Sequence, residues 1–274
     1  MKRINFSYIN SSLLIFVLLL FSNCIDKNEL EQHNWQLVWQ DEFDTNGAPD
    51  ESKWVYDIGR GPDGDGWGNA ELQSYTKNAE NIVIEDGVLK ITALQSGNTF
   101  TSARITTKGL FDQAYGRFEA RIKMPYGPGI WPAFWMLGAD IDVNPWPQCG
   151  EIDIMEYRGQ EPNIIHGSVH GPGYSGGSPI TKSYGFENDR FDADFHLFAI
   201  EWTEDYINYF VDDVPYQSIT PKNVEGKGAW VFDHPFYILL NLAVGGNYVG
   251  FPTSETVFPQ TMEVDWVRVY TKSD

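Results

Sequence analysis

The sequence predicts an all-β domain of two packed antiparallel sheets, a β-sandwich or jelly roll. Three observations carry that reading. Period-two alternation of polar and apolar residues recurs along the chain, no long stretch shows capped helical periodicity, and glycine and proline cluster between the alternating segments. The length of 274 residues suits one large β domain behind an export signal and is too short for two ordinary domains as well.

Taken in order, the clearest strands are residues 117–124, 195–202, 207–211 and 264–270. In 117–124 every step switches between polar and apolar, as a half-buried strand requires. Asp212-Asp213, between Tyr209-Phe210-Val211 and Val214-Pro215-Tyr216, reads as a hairpin turn. Residues 59–68, 127–129 and 171–177 are glycine-rich and read as loops. From Trp35 onward there is no repeat of 20- to 50-residue period and no low-complexity tract.

The N-terminus reads as an export signal. Lys2 and Arg3 precede a nine-residue apolar run, 13–21, which is too short to span a bilayer. Ser22-Asn23-Cys24 follows, and the stretch ending at Cys24 resembles a bacterial lipoprotein signal, in which the cysteine becomes the lipidated first residue. The expected organisation is a lipoprotein-type signal peptide over 1–23, a polar tether over 24–34 and a catalytic domain over 35–274. The expected location is outside the cytoplasm, lipid-anchored to the cell envelope at the outer membrane surface. With Cys24 lipidated, Cys149 has no disulfide partner.

Charge narrows the choice of partner. The net charge is −19, and removing 1–23 leaves 17 basic against 38 acidic residues, or −21. A phosphate backbone would be repelled, so nucleic acid is excluded as partner, and sulfated or uronic polysaccharides are disfavoured on the same ground. A neutral glycan fits, and aromatic residues at 15% of the chain exceed what core packing needs, as in grooves that stack on sugar faces. The chain is expected to be a monomer.

The segment Gly150-Glu151-Ile152-Asp153-Ile154-Met155-Glu156-Tyr157 is a strand carrying three acids in six residues. Residues two apart share a face, so Glu151 and Asp153 point together while Ile152 and Ile154 point to the core. Glu156 lies five steps from Glu151 and faces the wrong way unless a β-bulge near Ile154-Met155 restores it. Four regular steps span roughly 13 Å between backbones. Inward-leaning glutamates then bring the carboxylates to about 5–6 Å, the separation of retaining glycosidases. A solvated charged face or a calcium-binding loop explains the trio less well, because three like charges on one strand face repel one another.

The pattern Glu-Ile-Asp-Ile-Met-Glu resembles the bulged signature of glycoside hydrolase family 16, the laminarinases and lichenases. Trp39-Gln40-Asp41-Glu42-Phe43, residues 67–76, Trp131-Pro132-Ala133-Phe134-Trp135-Met136-Leu137 and Val169-His170-Gly171-Pro172-Gly173-Tyr174 are similar to family segments in the same order. The resemblance covers Trp35 to about Tyr270. It implies a retaining endo-β-1,3(4)-glucanase acting on neutral β-glucan, with Glu151 as nucleophile, Glu156 as acid/base and Asp153 as a tuning partner. It also implies substrate contacts from Asn69, Arg104, Trp131, Trp135 and His170. No cofactor is expected for catalysis. A structural calcium held by Glu42, the carbonyl of Gly87 and Asp265 is a further family expectation. His33, His166, His196 and His234 receive no role. Two alternatives stay open: a same-family hydrolase of another β-linked glycan, such as an agar-type galactan or a host glycan, and a non-catalytic glycan-binding jelly roll.

Overall fold

The computed structural model describes residues 35–273. The expected signal peptide, the tether and the lipidation site Cys24 lie outside the described residues. The strands are β1 (Trp35–Asp41), β2 (Val55–Asp57), β3 (Gln73–Tyr75), β4 (Ile82–Glu85), β5 (Val88–Ser96), β6 (Thr99–Ser102), β7 (Arg104–Thr106), β8 (Gly116–Lys123) and β9 (Ile130–Gly138). They continue as β10 (Glu151–Tyr157), β11 (Ile164–His170), β12 (Ile180–Gly185), β13 (His196–Trp202), β14 (Ile207–Val211), β15 (Val214–Ile219), β16 (Phe236–Val244) and β17 (Gln260–Lys272).

Two sheets form. One has ten strands with the path β15-β14-β13-β8-β17-β5-β6-β3, where β1 pairs β17 and β4 pairs β5. The other has seven strands in the order β12-β11-β10-β9-β16-β7-β2. The pairing is antiparallel as expected, except that β3 runs parallel to β6. The four strands read from alternation are β8, β13, β14 and part of β17. Their inward residues Phe118, Ile122, Ile200, Val211, Val264 and Val267 meet Phe134, Met136, Ile152, Ile154 and Ile238 of the facing sheet, all of them buried. Each such side chain stabilises the fold by roughly 1.5–3 kcal/mol relative to exposure.

Local chemistry agrees with the topology. Asp212 and Asp213 take φ of 48° and 62°, the double positive φ of a primed two-residue hairpin turn. Both carboxylates are used, Asp212 accepting from the Leu197 N–H and Asp213 from Arg117 Nη2. All nine residues of β16 are buried: one face packs in the core, and on the other Tyr237 and Leu239 pack with Leu137 and Cys149 while Asn241 lines a cleft. Period-two alternation is therefore missing from β16.

The donors expected to hold calcium are otherwise engaged. Glu42 accepts two hydrogen bonds from Arg268, at 2.7 Å from Nε and 2.8 Å from Nη2. Asp265 accepts from Arg121 Nη1 at 2.6 Å. Gly87 sits in the β4–β5 turn with φ of 77°. Two of the three proposed oxygen donors thus already neutralise guanidinium groups, and the set does not fit a calcium ion without displacing both. Cys149 is a free, fully buried thiol whose pKa burial pushes up to about 11, so it is packed and inert.

Candidate active site

The site is built on β10. Glu151 stands opposite His170 of β11 and Leu137 of β9, and Asp153 opposite Ser168 and Trp135. The register then slips, and Glu156 stands opposite His166 and Ala133. This is the bulge the sequence demanded: Ile154 and Met155 are consecutive and both buried in the core. The slip returns Glu156 to the face of Glu151 and Asp153, and all three line one cleft of about 920 Å³. That cleft crosses the seven-stranded sheet from Thr181 on β12 to Arg104 on β7.

Burial governs the trio. It pushes each of the three carboxyls up to about 8, and Asp153 raises both glutamates further by like-charge repulsion. The nearby His170, the Trp146 indole at Glu151, and Trp131 and Arg158 at Glu156 act in the opposite direction. For Asp153, the approach of the Glu151 carboxyl acts against burial and lowers its pKa. Near neutral pH the trio therefore holds fewer than three negative charges, with its protons shared as one coupled set. An ionised attacking group beside a protonated donor is available without any metal.

His170 stands beside two of the three acids. Its Nδ1 accepts the backbone N–H of Gly176 at 3.1 Å, so the neutral ring carries its proton on Nε2. Nε2 lies 3.2 Å from Asp153 Oδ2 and 3.6 Å from Glu151 Oε1. Glu151, Asp153 and His170 are close enough to be considered as metal ligands. With Nδ1 occupied, His170 instead turns its Nε2–H edge toward the two acids, nearer to Asp153 than to Glu151.

The chain matches Glycosyl hydrolases family 16 over residues 69–268. It is 42% identical to the beta-glucanase of Rhodothermus marinus over 256 residues, covering 89% of this chain and 88% of that one. The laminarinase catalytic domain of Thermotoga maritima is 46% identical and superposes with a TM-score of 0.83, covering 88% of this chain and all of that one. The endo-beta-1,3-glucanase of Pyrococcus furiosus, at 47% identity and a TM-score of 0.83, covers 88% of this chain and 95% of its own. This chain belongs to glycosyl hydrolase family 16.

The five residues expected to touch substrate all line the cleft of this family 16 domain. Arg104 does so as the filling of a sandwich, its guanidinium 4.5 Å from the Trp67 ring and 4.8 Å from that of Trp135. Its Nε lies 2.8 Å from Asp57 Oδ2. Trp135 donates its indole N–H to Asn241 Oδ1 at 2.7 Å, and Trp131 donates to Glu156 Oε1 at 3.1 Å. Both tryptophans are half-buried, so satisfied N–H groups fix rings that still face the cleft.

The same cleft contains residues that sequence reasoning missed. Glu71, Trp146, Arg158, His166, Asn241 and Tyr248 all line it. Tyr248 packs on Trp131 at 5.1 Å and carries the Arg158 guanidinium at 4.2 Å, a second cation–aromatic stack beside Glu156. Trp146 is 42% exposed, with its ring 6.2 Å from that of His170. One signal was readable: Asn241 is a lone polar residue inside the apolar run of β16, and a buried amide needs a reason. Trp146 and Tyr248 sit in irregular loops, where sequence offers no register.

Proposed function

We propose that the protein is a retaining endo-hydrolase of neutral β-glucan, acting on β-1,3-glucan such as laminarin, on mixed-linkage β-1,3/1,4-glucan, or on both. One observation carries the reading: a single bulged strand presents Glu151, Asp153 and Glu156 together on the floor of a cleft walled by indoles. Glu151 attacks the anomeric carbon as Glu156 gives its proton to the departing glycosidic oxygen. The C–O bond breaks and a glycosyl ester forms on Glu151. Glu156, now a carboxylate, takes a proton from water, whose oxygen displaces Glu151 and frees the sugar.

Asp153 and His170 hold Glu151 between them and set how the trio shares its protons. The cleft crosses six strands, so a chain lies across β10 with sugar on both sides of the reacting bond, as internal cleavage requires. The bound substrate is neutral, in keeping with the acidic chain. A purely glycan-binding role leaves three buried, mutually repelling acids without a purpose. The protein works as a monomer, exported and held at the cell envelope by lipid on Cys24. Mass spectrometry of the intact protein from a lipoprotein-processing bacterium tests the anchor, and absence of an acyl chain removes it.

Product analysis on laminarin, mixed-linkage glucan, agarose and mucin glycans side by side tests the activity. Oligosaccharide series from the glucans, with the galactans untouched, are expected. Release from agarose or mucin glycans alone transfers the same chemistry to a galactose-containing substrate.

A further inference from the structure

Glu71 is a fourth acid in the cleft, 4% exposed, and no step of the proposed reaction uses it. Its position is built with care. The turn Gly66–Ala70 runs into it, with Trp67 at φ 56° and Gly68 at φ 78°, and Asp65 caps the turn by accepting the Gly68 N–H. A Cβ on Gly66 would lie 2.4 Å from the Glu71 carbonyl oxygen, so only glycine permits the approach. The Glu71 and Leu72 carbonyls both accept from the Arg60 guanidinium.

The hydrogen bonds around its carboxylate have only one consistent direction. Trp135 Nε1 can only donate, so the Asn241 atom it meets at 2.7 Å is Oδ1, and Asn241 Nδ2 turns to the Tyr75 hydroxyl at 3.1 Å. That hydroxyl accepts from Asn241 and so gives its own proton to Glu71 Oε2, 3.3 Å away. Gln73 Oε1 likewise accepts the Val244 N–H at 2.7 Å, so Gln73 Nε2 donates to the same Glu71 Oε2 at 2.6 Å. Oε2 is thereby fixed as a double acceptor. Only Oε1 has freedom, and its partner is the Asn69 side-chain amide at 3.3 Å.

Resting on the family 16 glucanase reading above, we propose that ionised Glu71 is the positioning residue that orients Asn69 for substrate. It holds the Asn69 NH₂ group inward and leaves the amide oxygen as the acceptor offered to a sugar hydroxyl. The same anion anchors the hydrogen-bond chain Tyr75–Asn241–Trp135, which sets the ring beneath Arg104. Around Glu71 the charged and titratable groups are Tyr75 and Arg104, and Arg104 is itself paired with Asp57. Burial leaves the Glu71 pKa above the ordinary glutamate value, against the opposing pull of its three donors and Arg104.

The isosteric variant Glu71→Gln separates this role from simple packing. The two fixed donors demand an acceptor at the Oε2 position, so the new NH₂ must occupy the Oε1 position and face Asn69. Two NH₂ groups cannot meet, and Asn69 turns its own NH₂ to the cleft. KM for laminarin is expected to rise about tenfold, the worth of one misdirected buried hydrogen bond, with kcat falling far less. The double variant Asn69→Asp with Glu71→Gln restores both an acceptor toward Gln and an acceptor toward the sugar, and should recover most of the KM. An E71Q enzyme with wild-type KM, or a double variant no better than E71Q, overturns the proposal. If E71Q does not fold, N69A and N69D decide: the proposal requires N69A to raise KM at least as much as N69D does. Wild-type turnover of laminarin, measured alongside, reports on the glucanase reading separately.

Discussion

Trp131 donates its indole N–H to Oε1 of Glu156 at 3.1 Å, so the residue expected to be a sugar platform also acts on the carboxyl proposed as general acid. A donor to a carboxylate favours the ionised form and opposes the burial that pushes Glu156 up to about 8. Trp131→Phe keeps the aromatic face and removes that donor. The alkaline limb of kcat/KM, where Glu156 loses its proton, should move upward by about one pH unit. A pH–rate profile measures it, and an unmoved limb would show that the contact does not act on the reacting carboxyl.

Stability should carry the signature of the buried acids. The folded-state pKa values of Glu151, Asp153 and Glu156 are raised to about 8 from ordinary values of 4.5, 3.8 and 4.5. For raised carboxyls the stabilising contribution is present below the unfolded pKa and is lost as pH rises through the folded one. The wild-type protein should therefore lose stability between about pH 4 and 8, the interval those values bracket. Asp153→Asn removes one titrating group. Its Tm relative to wild type should climb across that window, exceeding it by at least about 2 °C at pH 8. Parallel melting curves for the two proteins, with no growing gap, would contradict the shifts.

The Trp67–Arg104–Trp135 stack predicts a substitution that preserves charge and still fails. Lysine keeps the cation beside Asp57 but has no planar group to lie between two indoles. Arg104→Lys should raise KM for laminarin by about tenfold, in line with about 1–2 kcal/mol for a partly desolvated cation–π contact. Steady-state kinetics on a long glucan checks it, and unchanged KM would assign Arg104 to structure alone.

How far the sequence reveals this site depends on how local each constraint is. The bulge in β10 is legible because two demands conflict within six residues: three acids need one face, and Glu151 and Glu156 have opposite parity. The hairpin at Asp212-Asp213 is equally local. The Glu71 network is not, since Asn241 meets Tyr75 across 166 positions and Val244 meets Gln73 across 171. The same distance in sequence hid the arginines that occupy Glu42 and Asp265, which lie 226 and 144 positions from their partners. Ion pairs of that kind follow from sheet order, and alternation within single strands does not reveal it.

Glu151→Gln should abolish turnover while leaving the fold and glucan binding intact, because the amide keeps the volume and cannot attack. Losses in kcat of at least about 10⁴-fold are expected when the nucleophile itself is removed. Laminarin should still retard the variant in affinity electrophoresis. Hydrolysis near the wild-type rate by a pure preparation would remove Glu151 from the reaction.

The stereochemical outcome tests the geometry most directly. Glu151 and Glu156 stand on one strand on either side of a single register slip, and both line the same cleft beside Asp153. Carboxyls so placed lie at about the 5–6 Å of a double displacement, too close for a water to attack from the far side of the ring. The first sugar released from a β-glucan should therefore be the β-anomer, formed through a covalent ester on Glu151. Proton NMR of the earliest products, before mutarotation, distinguishes the anomers. A mechanism-based fluoro-sugar should label the peptide containing Glu151. An initial α-anomer would mean that water attacks directly, that the reacting carboxyls stand farther apart, and that at least one of them lies off β10.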